Sequence, residues 1–184
     1  KLSEERITGY RNFVTKVNNV SKYLKMNNCY INKDFKLNKI KLAINHWIID
    51  LLDSFSSKIY NDIKSYRFNE AANKIYQFVW HNFCDWYLEI IKTILSNEKN
   101  IHNSEVKNIT AYVFSKILII LHPIIPFNSE YLYSKIHKFG DILAITKWPN
   151  EEEDNIELSS INVEIEWVIN FISEIRSLRS MLNI

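Results

Sequence analysis

Apolar residues recur at three- and four-residue intervals along most of the chain, the spacing of helices that bury one face. Ile7, Tyr10, Val14, Val17, Val20 and Leu24 predict a first helix. Ser3 stands where it can cap that helix, and Glu4 and Glu5 suit the positive end of its dipole. Gly9 either kinks the helix or begins it. The polar, aperiodic stretch NNCYINKDFKLN, 27–38, predicts a loop. Ile44, Ile48, Leu51, Phe55, Ile59 and Ile63 predict a second helix that runs to about Ser65. After the joint SYRF, Asn69 is the expected cap of a third helix, whose stripe is Ala72, Ile75, Val79, Phe83, Tyr87, Ile90 and Ile94. A joint that short makes the second and third helices antiparallel neighbours.

Polar SNEKNIHNS, 96–104, predicts the next loop, and Ser104 with Glu105 opens a fourth helix through Val106, Ile109, Val113, Ile117 and Leu121 that Pro123 stops. Asn128 or Ser129 is the expected cap of a short fifth helix carrying Leu132, Ile136 and Phe139, with Gly140 just past its end. DILAITKWP reads as extended packing, and EEEDN as a solvated acidic turn. A last helix from about Ser160 carries Ile161, Ile165, Val168, Ile172, Ile175 and Leu182, and reads as cut off at the chain end. The pattern gives an all-α fold: an irregular bundle of five long helices and a short one, forming one domain over 1–184.

Composition supports this reading. The 184 residues are 47% hydrophobic, enough for a sizeable core, and two glycines and three prolines leave little room for hairpins. Two cysteines 55 positions apart, Cys29 and Cys84, offer neither a zinc knuckle nor a disulfide framework, which suits a reducing compartment such as the cytoplasm. The first residue is Lys1 with no basic-apolar leader, so the chain reads as a fragment of something longer. Its longest apolar run, ILIIL at 117–121, is far shorter than a membrane span, so no membrane partner is expected. Charge is unevenly placed: Lys and Arg outnumber Asp and Glu by 13 to 6 over residues 1–67, and are outnumbered by 8 to 2 over 151–184. The front of the chain is where a polyanion would dock.

Candidate chemistry is sparse. Two isolated glycines exclude both a Walker loop and G-x-G-x-x-G, and the five scattered histidines make no metal site. The stretch FVWHNFCDWYLE, 78–89, packs aromatics around a cysteine and an aspartate. At 100° per residue Val79, Phe83 and Tyr87 share one face, Phe78, Asp85 and Glu89 another, and Trp80 and Cys84 lie between. Apolar groups around most of the circumference mark a central bundle helix. Cys84 and Asp85 diverge, His81 lies three positions before Cys84, and no orienting third group is visible, so a packed thiol is expected and no catalytic residue is assigned. Asp85 and Glu89 share a face, and Glu89 can pair with Lys92.

Taken in order, these residues resemble the helical anticodon-binding domain of the class I valyl-tRNA synthetases. GYRNF at 9–13 followed by Lys16 and Asn19 is similar to the family's first helix, and NHWII at 45–49 to its D-R-W-I-L. YRFNEAANKIYQFVW (66–80), FCDWYLEIIK (83–92), LHPIIPFNSEYLY (121–133), the WP pair at 148–149 and IRSLRSMLNI (175–184) complete a resemblance that spans the chain. HPIIPF is common to the branched-chain synthetases, and FCDWYLE favours the valine enzyme over the isoleucine enzyme. Asn18, Asn45, His46 and Asn128 depart from the family pattern.

The resemblance implies a fold of the class Ia anticodon-binding type and a part that binds the anticodon stem and loop of valine tRNA. It implies no bond-making here, since the H-I-G-H and K-M-S-K-S signatures of the ATP site are absent from this sequence. ATP and Mg would belong to the catalytic domain of a full-length, monomeric valine–tRNA ligase, and no cofactor is expected in this part. Its partners would be valine tRNA and the catalytic and C-terminal domains of the same chain. Arg11, Lys16, Lys22, Lys25, Lys39 and Lys41 are the candidates for neutralising phosphates. Asn19, Tyr23, Asn45 and Trp47 are the candidates for reading unstacked bases, although Tyr23 and Trp47 also suit core positions. The competing reading is a module that braces the synthetase while bases are read elsewhere. Exposed aromatics beside HPIIPF would favour it.

Overall fold

A computed structural model describes residues 3–32, 34–137, 141–149 and 161–182, and within them the side chains of all but Lys39, Ile161 and Asn162. The described residues are helical, with no strand among them. The first helix, α1, spans Glu4–Met26, and Ser3 caps it by accepting the Arg6 N–H at 3.3 Å. Gly9 lies inside α1, in open space. Helix α2 spans Ala43–Lys64, after a short 3₁₀ turn at Leu37–Lys39.

Both helices end on the same device. Asn28 (φ 56°) and Tyr66 (φ 61°) take the left-handed conformation. The Cys29 N–H then reaches Leu24 O and the Arg67 N–H reaches Asp62 O, closing the last turn of each helix. At Tyr66 this reversal starts the next helix at once. It begins at Phe68 with Arg67 at its cap position, so Asn69 is inside the first turn and caps nothing.

That third rod is α3 (Phe68–Tyr76), a π-helical segment (Gln77–Leu88) and α4 (Glu89–Leu95). It runs antiparallel to α2: Lys74 pairs with Asp62, the rings of Phe78 and Phe55 lie 5.4 Å apart, and the Tyr87 hydroxyl donates to Asn45 Oδ1 at 2.8 Å. The π segment changes the expected facing. Its bonds run from residue i to i+5 and widen each turn, so buried positions come in pairs, Phe78 with Val79, Phe83 with Cys84, and Tyr87 with Leu88. A uniform 100° step places Phe78 away from Val79 and misses this pairing. Beyond the segment the core stripe continues through Ile91 and Leu95, while Ile90 is exposed. Before it, Ala71 and not Ala72 is buried.

Helix α5, Asn103–Leu121, is the most enclosed element, every residue from 113 to 121 being buried. It begins one residue before Ser104. Asn103 is turned back on α4, its amide donating to Ile94 O (2.9 Å), Leu95 O (3.3 Å) and Asn97 O (3.2 Å). Helix α6, Pro126–Ile136, starts earlier than the expected caps because Pro126 takes the first-turn position, where its missing N–H costs nothing. Ser129 instead ties its hydroxyl to Ile125 O and Pro126 O, both at 3.0 Å. Phe139 and Gly140 lie outside the described residues, as does EEEDN at 151–155. The DILAITKWP stretch holds a 3₁₀ turn at Leu143–Ile145, anchored by Glu130, whose carboxylate accepts the Leu143 and Ala144 N–H groups at 2.9 and 3.1 Å.

Helix α7, Ile161–Met181, lies on α2. Its inner edge is Ile165, Ile169 and Ile172, whereas Val168, Ile175 and Leu182 of the expected stripe face outward.

Candidate nucleic-acid interface

On α1 the buried positions Val17, Val20, Ser21 and Leu24 fix which side faces out. Arg11, Lys22 and Lys25 are exposed and recur at helical spacing on that outward side. Next to them runs an open groove of about 570 Å³ between α1 and the third rod. Asn12, Thr15, Lys16, Asn19 and Tyr23 line it from α1; Trp80, Cys84 and Leu88 of the π segment, with Glu89 and Lys92 of α4, form the other wall. The groove therefore offers two carboxamides, two hydroxyls, two aromatic rings and two ammonium groups, the inventory that stacks unpaired bases and hydrogen-bonds their edges.

Charges inside the groove are largely paired. Lys16 Nζ lies 2.6 Å from Asp85 Oδ1 and 4.0 Å from the centroid of the Trp80 ring. The other oxygen of Asp85 is 3.4 Å from His81 Nδ1, so His81 serves the aspartate and not Cys84. Lys92 pairs with Glu89 at 2.5 Å. Burial pushes the Tyr23 phenol up, against the pull of Lys92, so it stays a hydrogen-bond donor. Burial also pushes the Cys84 thiol up to about 12 and the Cys29 thiol up to about 11, leaving both protonated and chemically quiet.

The candidates from the second helix are not brought to the groove. Asn45 is fully buried between Tyr87 and Glu105, donating to Glu105 Oε1 at 2.8 Å. Trp47 is 1% exposed and lines a separate cavity with α7 residues, so neither side chain is open to a base. The burial of Asn45 is a correction to its expected reading role, and Trp47 takes the core position that its place in the sequence also suited. Lys41 is exposed, and its N–H donates to Glu105 Oε1 at 3.1 Å. The side chain of Lys39 lies outside the described residues. Sequence reasoning also missed groove residues. Asn12 and Thr15 precede Asn19 by seven and four positions, a signal that was available on α1. Trp80, read as lying between two faces of its helix, was not among the expected contacts although it lines the groove.

The positions that depart from the family pattern are structurally occupied. Asn18 and Asn128 meet across α1 and α6, the Asn128 amide donating to Asn18 Oδ1 at 3.3 Å. His46 Nε2 lies 3.2 Å from Ile40 O. Among the described residues no cluster of three or more His, Cys, Asp or Glu could hold a metal, and no helix is long and apolar enough to cross a membrane.

Comparison with known proteins agrees with this architecture. The valine–tRNA ligase of Pelagibacter ubique is 43% identical over 187 residues, covering 100% of this chain and 21% of the relative. Those of Mesorhizobium japonicum and Bartonella henselae are 39% and 38% identical, each covering 100% of this chain and 20% of the relative. The chain thus spans about a fifth of the length of these curated relatives. The family model for the anticodon-binding domain of tRNA ligase matches residues 45–184, most of the chain. This all-helical chain belongs to the anticodon-binding domains of the tRNA ligases.

Proposed function

We propose that residues 1–184 act as one unit that holds the anticodon stem and loop of valine tRNA for a valine–tRNA ligase. The supporting observation is the juxtaposition on α1 of an exposed basic face, Arg11, Lys22 and Lys25, with a groove carrying Asn12, Asn19 and Tyr23. The basic face neutralises phosphates and sets the register of the RNA, while the groove contacts the bases, which alone distinguish one anticodon from another. Valine is favoured over isoleucine by the relatives, all three being valine–tRNA ligases aligned over the whole chain. Activation of valine with ATP and Mg takes place elsewhere in such an enzyme, in the cytoplasm, and this part contributes binding.

A second reading, bracing of the remaining polypeptide, is favoured by one observation. Phe127 is 91% exposed beside the HPIIPF turn, with Ile124 and Tyr131 also exposed. The two readings use different surfaces and separate in one experiment. Charge reversal of Arg11, Lys22 and Lys25 to Glu in the full-length ligase is expected to weaken valine tRNA binding by roughly one to three orders of magnitude at low salt, and to flatten the dependence of log K on log salt by about 2 to 3. A binding curve and slope equal to wild type would leave bracing as the function of this part.

A further inference from the structure

Trp80 is the groove residue whose surroundings are least like those of a core ring. It is half-buried, lines the groove opposite the carboxamides of α1, and is supported from its own rod by Tyr76, whose ring is nearly parallel to it (13°) with centroids 5.3 Å apart. Trp80, Cys84 and Leu88, spaced four residues apart, follow one another along the groove wall. An ammonium group also lies over the indole, Lys16 Nζ, 4.0 Å from the ring centroid and held by Asp85 at 2.6 Å. An exposed π face covered by a cation is a site that a planar, electron-poor heterocycle can also occupy.

We propose that Trp80 is the stacking platform for an unpaired base of the bound anticodon loop, and that Lys16 covers it only in the unbound state. This rests on the function proposed above. An arriving nucleotide brings both groups the exchange requires: its base replaces the ammonium on the indole, and its phosphate replaces Asp85 as the partner of Lys16. Asp85 keeps a partner in His81, 3.4 Å from its second oxygen. Lys16 therefore contributes to RNA binding only after giving up its carboxylate, and Asp85 competes with RNA for it.

The test uses the full-length ligase with valine tRNA carrying 2-aminopurine at each anticodon-loop position in turn, because stacking on a ring quenches its fluorescence. At one loop position wild type is expected to quench strongly, Trp80→Phe to retain most of the quenching and affinity, and Trp80→Leu to lose the quenching and bind roughly 5- to 150-fold more weakly. Asp85→Asn is expected to bind more tightly than wild type and to steepen the salt dependence, since Lys16 is then free for phosphate. Wild-type quenching and affinity in Trp80→Leu, with valine tRNA still bound, would overturn the platform and leave the function standing. Affinity in Asp85→Asn equal to or weaker than wild type would overturn the competition. Failure of the wild-type ligase itself to prefer valine tRNA would remove the function and this proposal together.

Discussion

Glu105→Ala is expected to lower the unfolding free energy by about 3 kcal/mol, a large effect for one surface-proximal carboxylate. The reason lies at the start of α2, which has no side-chain cap of its own. Glu105 reaches across from α5 to supply one. Its Oε1 accepts the N–H of Lys41 (3.1 Å), the N–H of Leu42 (3.0 Å) and the Asn45 amide (2.8 Å). Asn45 in turn accepts from Tyr87, whose hydroxyl lies 3.3 Å from Thr110 Oγ1. Only 11% of the Glu105 side chain is exposed, so truncation strands the Leu42 N–H and the Asn45 amide with little water to replace the carboxylate, while the exposed Lys41 N–H can turn to solvent. It also removes a negative charge from the positive end of the α2 dipole.

The same contacts set a pH dependence. Burial raises the affinity of Glu105 for a proton, but the Leu42 N–H, the Asn45 amide, the Lys41 N–H and nearby His102 outweigh it, and the carboxyl is held below its ordinary value. A group whose folded value is depressed contributes stability that is complete above the unfolded value, near 4.3, and is lost as pH falls through the folded one. Urea unfolding at pH 7 and at stepped acid pH measures this. Glu105→Gln is expected to lose less stability than wild type on acidification. An alanine variant within about 1 kcal/mol of wild type, or a glutamine variant with the wild-type acid slope, would contradict the assigned role.

The second large effect separates two rings three positions apart. Phe83→Ala is expected to cost about 3 to 5 kcal/mol, whereas Trp80→Leu costs well under half of that. Phe83 is fully buried in a stack, with ring centroids 5.7 Å from Tyr87 and 6.3 Å from Phe114, so its removal leaves a cavity between the π segment and α5. Trp80 faces the groove, and its loss opens space that solvent already reaches. Thermal melts of the two variants give the comparison. Equal destabilisation would mean that Trp80 is a core ring after all.

The stretch FVWHNFCDWYLE shows why some of this was legible and some was not. Its richness in large apolar groups announced a central helix, and Phe83 and Tyr87 are as buried as that reading requires. Which rings turn inward depends on residues per turn, and nothing in the local pattern announces a π segment, so Phe78 was placed on the wrong side. Helix α2 and the second half of α1 followed their apolar spacing because regular α winding makes spacing and facing equivalent, whereas Ile7 and Tyr10 of the expected α1 stripe are exposed. Long-range polar pairing was invisible by nature. Lys16 reads as a free cation until Asp85, 69 positions later, is brought to it. Glu105 reads as the opening of its own helix until it is found capping another. Asn45 and Trp47 stand in a family motif, and the motif turns out to hold the core together. The exposed basic residues of α1 needed no tertiary information beyond the buried face opposite them, and those are the residues the structure gathers beside the groove.

Anticodon-loop bases are expected to enter the groove between α1 and the π segment. Photo-crosslinking tests it most directly, with 4-thiouridine placed in the anticodon loop of valine tRNA, the intact ligase as partner, and crosslinked peptides mapped by mass spectrometry. Crosslinks are expected within residues 12–23 and 80–92, the two walls of the groove. Crosslinks confined to the HPIIPF turn and α6, or to α7, with both groove walls unmarked, would contradict it.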